Sequence, residues 1–226
     1  MTQKNAWNKY KKDEIKALES LCKDYRDFLD NGKTERECVK EIVKQAEDKG
    51  FRDIRKIIKN KEKIETGDKV YAVWMNKTVA MFTIGKKKLE KGMNILGAHI
   101  DSPRMDVKQN PLYEKGGFAY LDTHYYGGIK KYQWVTLPLA IHGVIAKTDG
   151  EVVNVNIGED KNDPVFCVTD LLIHLSQEQL KKRADSVIEG EQLDILFASR
   201  PLAGREKEAV KEAALELLEK KYGVKE

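Results

Sequence analysis

An apolar run at residues 93–98, Met-Asn-Ile-Leu-Gly-Ala, stops abruptly at His99-Ile100-Asp101 and is followed by Ser102-Pro103. This constrains the chain more than any other feature. A short apolar run bounded by turn residues reads as a buried strand. A strand ending in an imidazole and a carboxylate delivers both to a loop at its C-terminal end, where ligands gather in open α/β sheets. The chemistry of the pair suits a metal site. Neutral imidazole supplies a nitrogen ligand, and a nearby carboxylate fixes its tautomer and raises its basicity. The pair is short enough to arise by chance, and its place after the apolar run gives it meaning. The plain alternatives are a solvated loop histidine at 99 and an Asx-turn aspartate at 101.

Upstream, Ile15, Leu18, Leu21, Cys22, Tyr25, Phe28 and Leu29 recur at spacings of three and four, predicting a helix over 13–29 that ends at Asn31-Gly32. Thr34 and Glu37 form a capping-box pattern ahead of Val39, Ile42, Val43 and Ala46, with Lys49-Gly50 as the stop. Runs 70–75 and 78–84 flank Asn76-Lys77 and predict a hairpin. Cys22 and Cys38 are expected to be core thiols, and Trp74 and Trp134 core anchors.

Beyond about residue 107, glycines and polar loops separate strand-like runs. Runs 134–146 and 151–157 predict a hairpin around Thr148-Asp149-Gly150. A short helix or turn is expected over 169–175, a strand over 195–198, and a closing helix over 205–222 with Gly223 at its C-cap. The fold class is therefore α/β: an α/β start over 1–106, a β-rich part over 107–203, and a final helical segment over 204–226.

Composition sets outer limits. A chain of 226 residues can bury a core. Its net charge of +4 is the small difference of 41 basic and 37 acidic residues, which is no argument for nucleic acid. The lysine runs are expected to be solvated turns. Three widely spaced cysteines give neither a disulfide framework nor a zinc-finger spacing. With no apolar signal core and no membrane-length apolar run, the expectation is a cytoplasmic protein with neither nucleic acid nor membrane as partner.

The stretch Gly97-Ala98-His99-Ile100-Asp101-Ser102-Pro103-Arg104 resembles the first metal-site motif of the aspartyl aminopeptidase/aminopeptidase I family of zinc metallopeptidases. Tyr125-Tyr-Gly-Gly-Ile-Lys-Lys-Tyr-Gln-Trp134 is similar to the Gly-Gly…Trp segment of that family in its bacterial form. The likeness continues through Asp163-Pro164 and Asp170-Leu-Leu-Ile-His-Leu175. It implies the N-terminal part of a zinc-peptidase α/β domain, followed by an inserted β-rich dimerisation domain. It implies His99 as a zinc ligand, Asp101 as a catalytic partner of that histidine or an aid to the general base, and two zinc ions per active site. The activity implied is removal of N-terminal residues from peptides by metal-activated water. His174 is implied to reach a neighbouring subunit's active site and help bind substrate in a homo-oligomer. A half-buried histidine on a short helix is its plain alternative, and His124 and His142 are read as packing or loop residues.

Two departures stand out. The later acidic ligands and final histidine of such a site have no counterpart in these 226 residues, so the chain is expected to be an N-terminal portion that is inactive alone. The Trp-x-Asp-Arg segment of many family members is replaced by Trp134-Val135-Thr136-Leu137, which weakens any expectation of acidic substrates. The competing expectation is a non-catalytic self-association module.

Overall fold

The computed structural model describes residues 5–224, which form a mixed α/β fold. They fall into two compact units that divide between Ser102 and Pro103.

The first unit opens on helix α1 (Lys12–Asn31). Its N-terminus is closed by Glu14, whose carboxylate accepts the Lys11 N–H at 2.7 Å. The apolar stripe predicted by the spacing is present, yet α1 buries no residue. Leu18 and Phe28 are half-covered, whereas Leu21 and Tyr25 stand open to solvent. Cys22 is exposed rather than a core thiol, standing beside the exposed Leu21 and Tyr25 on a helix that buries none of its residues. Helix α2 (Glu35–Asp48) has the predicted capping box: Thr34 Oγ1 accepts the Glu37 N–H at 3.4 Å, and Glu37 accepts the Thr34 N–H at 2.9 Å. It buries Cys38, Val39 and Ala46.

Strand β1 (Arg52–Asp53) and helix α3 (Ile54–Lys59) follow, with Asp53 accepting the Arg55 N–H at 2.8 Å as the helix cap. Strands β2 (Lys69–Trp74) and β3 (Thr78–Thr83) make the predicted antiparallel hairpin, and β1 pairs parallel to β2. The sheet order is β1-β2-β3. Met75 and Asn76 take positive φ values of 50° and 55° at the hairpin tip. Val70 and Tyr71 are buried, and the Tyr71 hydroxyl donates to Glu47 on α2 at 2.7 Å. Trp74, expected as a core anchor, is 74% exposed at the end of β2.

The run 93–98 is not a strand. It is extended coil, with Met93, Ile95 and Leu96 exposed. A strand exists only when a neighbour takes its backbone N–H and C=O groups. Nothing in the unit does so here.

The second unit holds a four-stranded sheet of order β4-β5-β9-β8 and a separate two-stranded hairpin, β6-β7. Strands β4 (Arg104–Lys115) and β5 (Phe118–Tyr126) form the long antiparallel hairpin. Gly116 and Gly117, with φ of 62° and 78°, make the two-residue turn that a twisted hairpin favours. The pairing slips between Val107 and Leu112. This bulge accommodates Pro111, which cannot donate to a ladder. Strands β6 (Ile141–Ala146) and β7 (Val152–Ile157) pair around the predicted 148–150 turn. The predicted strand over 134–146 begins only at Ile141. Before it, Val135 and Leu139 make isolated bridges to Val168 and Phe166. Trp134 is half-buried rather than a core anchor.

Strands β8 (Cys167–Val168) and β9 (Ile195–Ala198) and helix α4 (Ala209–Tyr222) complete the unit. Its core gathers Phe166, Val168, Leu193, Phe197, Val210 and Ala214. Phe166 and Phe197 stack with centroids 5.0 Å apart and planes at 5°. Full burial of such side chains contributes about 2 kcal/mol each. The N-terminus of α4 has no side-chain cap of its own. Glu114 of β4 accepts the Val210 and Lys211 N–H groups at 2.9 and 3.0 Å and ties the helix to the sheet. At the far end, Gly223 (φ 65°) closes the helix as predicted, and Lys221 pairs with Asp163 at 2.6 Å. Among the described residues, no helix is long and apolar enough to cross a membrane.

Candidate functional site

The loop after the 93–98 run holds His99 and Asp101 together. His99 Nδ1 lies 3.0 Å from the Asp101 backbone oxygen and 3.2 Å from its carboxylate Oδ1. Both partners are acceptors only, so in the neutral ring the proton sits on Nδ1 and donates to them. The lone pair is then on Nε2, for which the described residues provide no partner. The side chain of His99 is 84% exposed and that of Asp101 38%. This is the arrangement in which a carboxylate orients an imidazole toward a metal.

The arrangement stops at one ligand. Catalytic zinc takes three protein donors and a water. Among the described residues, no group of three or more His, Cys, Asp or Glu side chains could hold a metal ion. His99 fits a single position of a zinc shell, and the residues present do not fit a zinc ion.

His174 belongs to the other unit. It is exposed in the turn 173–175, where Leu175 N–H bonds the Leu172 carbonyl at 2.8 Å. The buried Ser176 donates its hydroxyl to the Ile173 carbonyl at 3.0 Å and pins the turn from inside. The segment is therefore a turn, not a helix, and His174 is more open than its half-buried alternative requires. Around it, Leu171, Leu172, Ile173 and Leu175 are all exposed, between 54% and 71%.

The other histidines have local roles. His142 on β6 faces Glu159 at 3.0 Å. His124 Nδ1 lies 3.2 Å from the Tyr125 carbonyl. A cavity of about 810 Å³ in the second unit runs between β9 and α4, lined by Val165, Phe197, Arg200, Leu202 and Leu217 among others, and contains none of the candidate residues. Sequence reasoning singled out neither this cavity nor the ring of exposed leucines beside His174. The Leu171-Leu172-Ile173 run was the available signal for the second.

Comparison with known proteins agrees with the motif. The family described as aminopeptidase I zinc metalloprotease (M18) matches residues 28–226. A probable M18 family aminopeptidase 1 from Clostridium acetobutylicum is 57% identical over 224 residues, covering 99% of this chain and 48% of the relative. The crystal structure of an M18 aminopeptidase from Thermotoga maritima superposes with a TM-score of 0.89 at 42% identity, covering 99% of this chain and 48% of that one. A more distant structure, the Saccharomyces cerevisiae mApe1 dodecamer, shares the fold at 18% identity with a TM-score of 0.61, covering 92% of this chain and 46% of that one. The chain thus spans about half the length of the curated relatives it matches. On the family match and these relatives, the chain belongs to the aminopeptidase I zinc metalloprotease (M18) family.

Proposed function

We propose that this chain serves a zinc-dependent aminopeptidase that removes N-terminal residues from peptides. Its part is to present His99 as one metal ligand, with Asp101 as the residue that orients it. The observation that carries the reading is the Nδ1 contact pair, at 3.0 and 3.2 Å, which leaves Nε2 with its lone pair in an M18 motif. The donor count supports a second element: these 226 residues do not turn over peptides by themselves. The setting is the cytoplasm, in keeping with an unpaired set of cysteines.

The second unit is the self-associating part, corresponding to an inserted dimerisation domain over roughly 107–203. The exposed apolar residues at 171–175 support it. A contiguous apolar patch on a soluble unit marks an interaction surface, and a closed two-fold contact is the commonest way to cover one. His174, in the middle of that patch, then sits at the contact between subunits and helps bind substrate in the neighbour. The dodecamer formed by mApe1 is in keeping with a closed assembly. If association is the whole role of the chain, the same surface suffices without catalysis.

The test is hydrolysis of unblocked aminoacyl p-nitroanilides by the purified chain with added zinc, manganese or cobalt. No turnover above buffer is expected. Robust, chelator-sensitive turnover would contradict the claim that the donor set is incomplete.

A further inference from the structure

The cavity between β9 and α4 has the make-up of a small-molecule site. Its volume of about 810 Å³ falls within the roughly 300–1,000 Å³ of ligand pockets. Small side chains make the space: Ala198 on β9 and Ala213 and Ala214 on α4 line it where longer apolar chains would fill it. The walls are fastened at two places. The Leu202 N–H bonds the Ala209 carbonyl at 2.9 Å and ties the loop after β9 to the start of α4. Near the other end of α4, Lys221 pairs with Asp163 at 2.6 Å, next in sequence to the lining residues Pro164 and Val165. Walls held in place beforehand spare a ligand part of the ordering cost of binding. The lining has two chemical ends. Among the described residues, Arg200 is its only charged side chain and Ser199, beside it, its only other polar one. Neither side chain has a hydrogen-bond or ion-pair partner among the described residues. The rest is apolar, including Phe197, Leu202, Leu217 and the 74% exposed Val165.

We propose that this cavity binds an aliphatic monocarboxylate, its carboxylate on Arg200 and Ser199 and its hydrocarbon between β9 and α4. A guanidinium presents a planar fork of N–H donors that matches the two oxygens of a carboxylate. The Ser199 hydroxyl adds a third donor. One cation balances one negative charge, which favours a carboxylate over a phosphate dianion. The apolar walls gain by covering hydrocarbon, at about 25 cal/mol for each Å² removed from water. Two sources carry this chemistry: a free fatty acid, and the C-terminal end of a peptide with aliphatic last residues. Either ligand bridges β9 and α4 and stabilises the folded second unit by mass action.

The experiment titrates the 226-residue chain by calorimetry with two carboxylates, decanoate and acetyl-Leu-Leu, and with their neutral counterparts, decanol and acetyl-Leu-Leu-amide, all below micelle-forming concentrations. At least one carboxylate should bind saturably and raise the thermal midpoint of the chain. Tighter binding of decanoate upholds the proposal with a fatty acid as the source, and tighter binding of acetyl-Leu-Leu upholds it with a peptide end. The neutral counterpart of the tighter ligand should bind at least about 10-fold more weakly, the loss expected for one charge-assisted contact. Arg200→Gln changes an exposed side chain. It should lower carboxylate affinity by about 10-fold and leave the neutral counterpart unchanged. Ala213→Phe should fill the cavity and remove both, with helical circular dichroism showing that the variant is folded. No saturable binding of either carboxylate, equal affinity for a carboxylate and its neutral counterpart, or carboxylate binding untouched by Arg200→Gln would each overturn the proposal.

Discussion

Asp101 reaches the Nδ1 side of His99 twice, through its backbone oxygen at 3.0 Å and its carboxylate at 3.2 Å. Two acceptors on one ring nitrogen fix the proton of the neutral ring there and leave the lone pair on the opposite nitrogen, as the proposed ligand role requires. The backbone contact survives any substitution at 101, whereas the carboxylate contact does not. That difference separates the two residues experimentally. In an assembled enzyme, Asp101→Ala should weaken zinc binding by about 10- to 100-fold while leaving the metal-binding stoichiometry at saturation unchanged. Competitive zinc titration against a fluorescent chelator reads this directly. An unchanged affinity would return Asp101 to the role of an Asx-turn residue.

The His174 turn makes a different prediction. Leu171, Leu172, Ile173 and Leu175 are exposed in the isolated chain, and self-association should cover them. Light scattering of the chain at micromolar concentrations is expected to give a dimer or larger species, and Leu172→Asp to give monomer. His174→Ala should leave assembly intact and raise KM or lower kcat in the assembled enzyme. Unchanged kinetics would leave the histidine with no part in substrate binding.

In the first unit, burial and then the hydrogen bond to Glu47 push Tyr71 up to about 12 from an ordinary value of 10.0. A folded-state value above the unfolded one means the folded chain holds its proton more tightly. The stability from this contact is fully present below about pH 10 and is lost as pH rises toward 12. The urea midpoint of the chain should therefore fall across that alkaline window, and Tyr71→Phe should flatten the decline. A decline identical in both proteins would remove Tyr71 as its source.

The parts of the fold legible in the sequence are those set by local chemistry. The Thr34–Glu37 capping box, the β2–β3 and β6–β7 hairpins and the Gly223 cap depend on residues close in the chain, and they form as read. The long β4–β5 hairpin was hidden by Pro111, which argues against a strand until a bulge is there to hold it. The cap of α4 was hidden for the opposite reason: its acceptor, Glu114, lies far away in sequence. The 93–98 run and the α1 face were read as buried because they are apolar, but burial needs a partner surface that periodicity cannot supply. The pairing of His99 with Asp101 was legible because two residues at that spacing in a loop can meet without help from the rest of the fold.

The most direct measurement joins this chain to the remaining part of the Clostridium acetobutylicum relative in one polypeptide and follows p-nitroaniline release beside zinc content. Chelator-sensitive hydrolysis by the chimera is expected, with His99→Ala losing at least about 100-fold in rate together with bound zinc. A His99→Ala chimera that keeps its zinc and its turnover would contradict the assignment of His99 as a metal ligand.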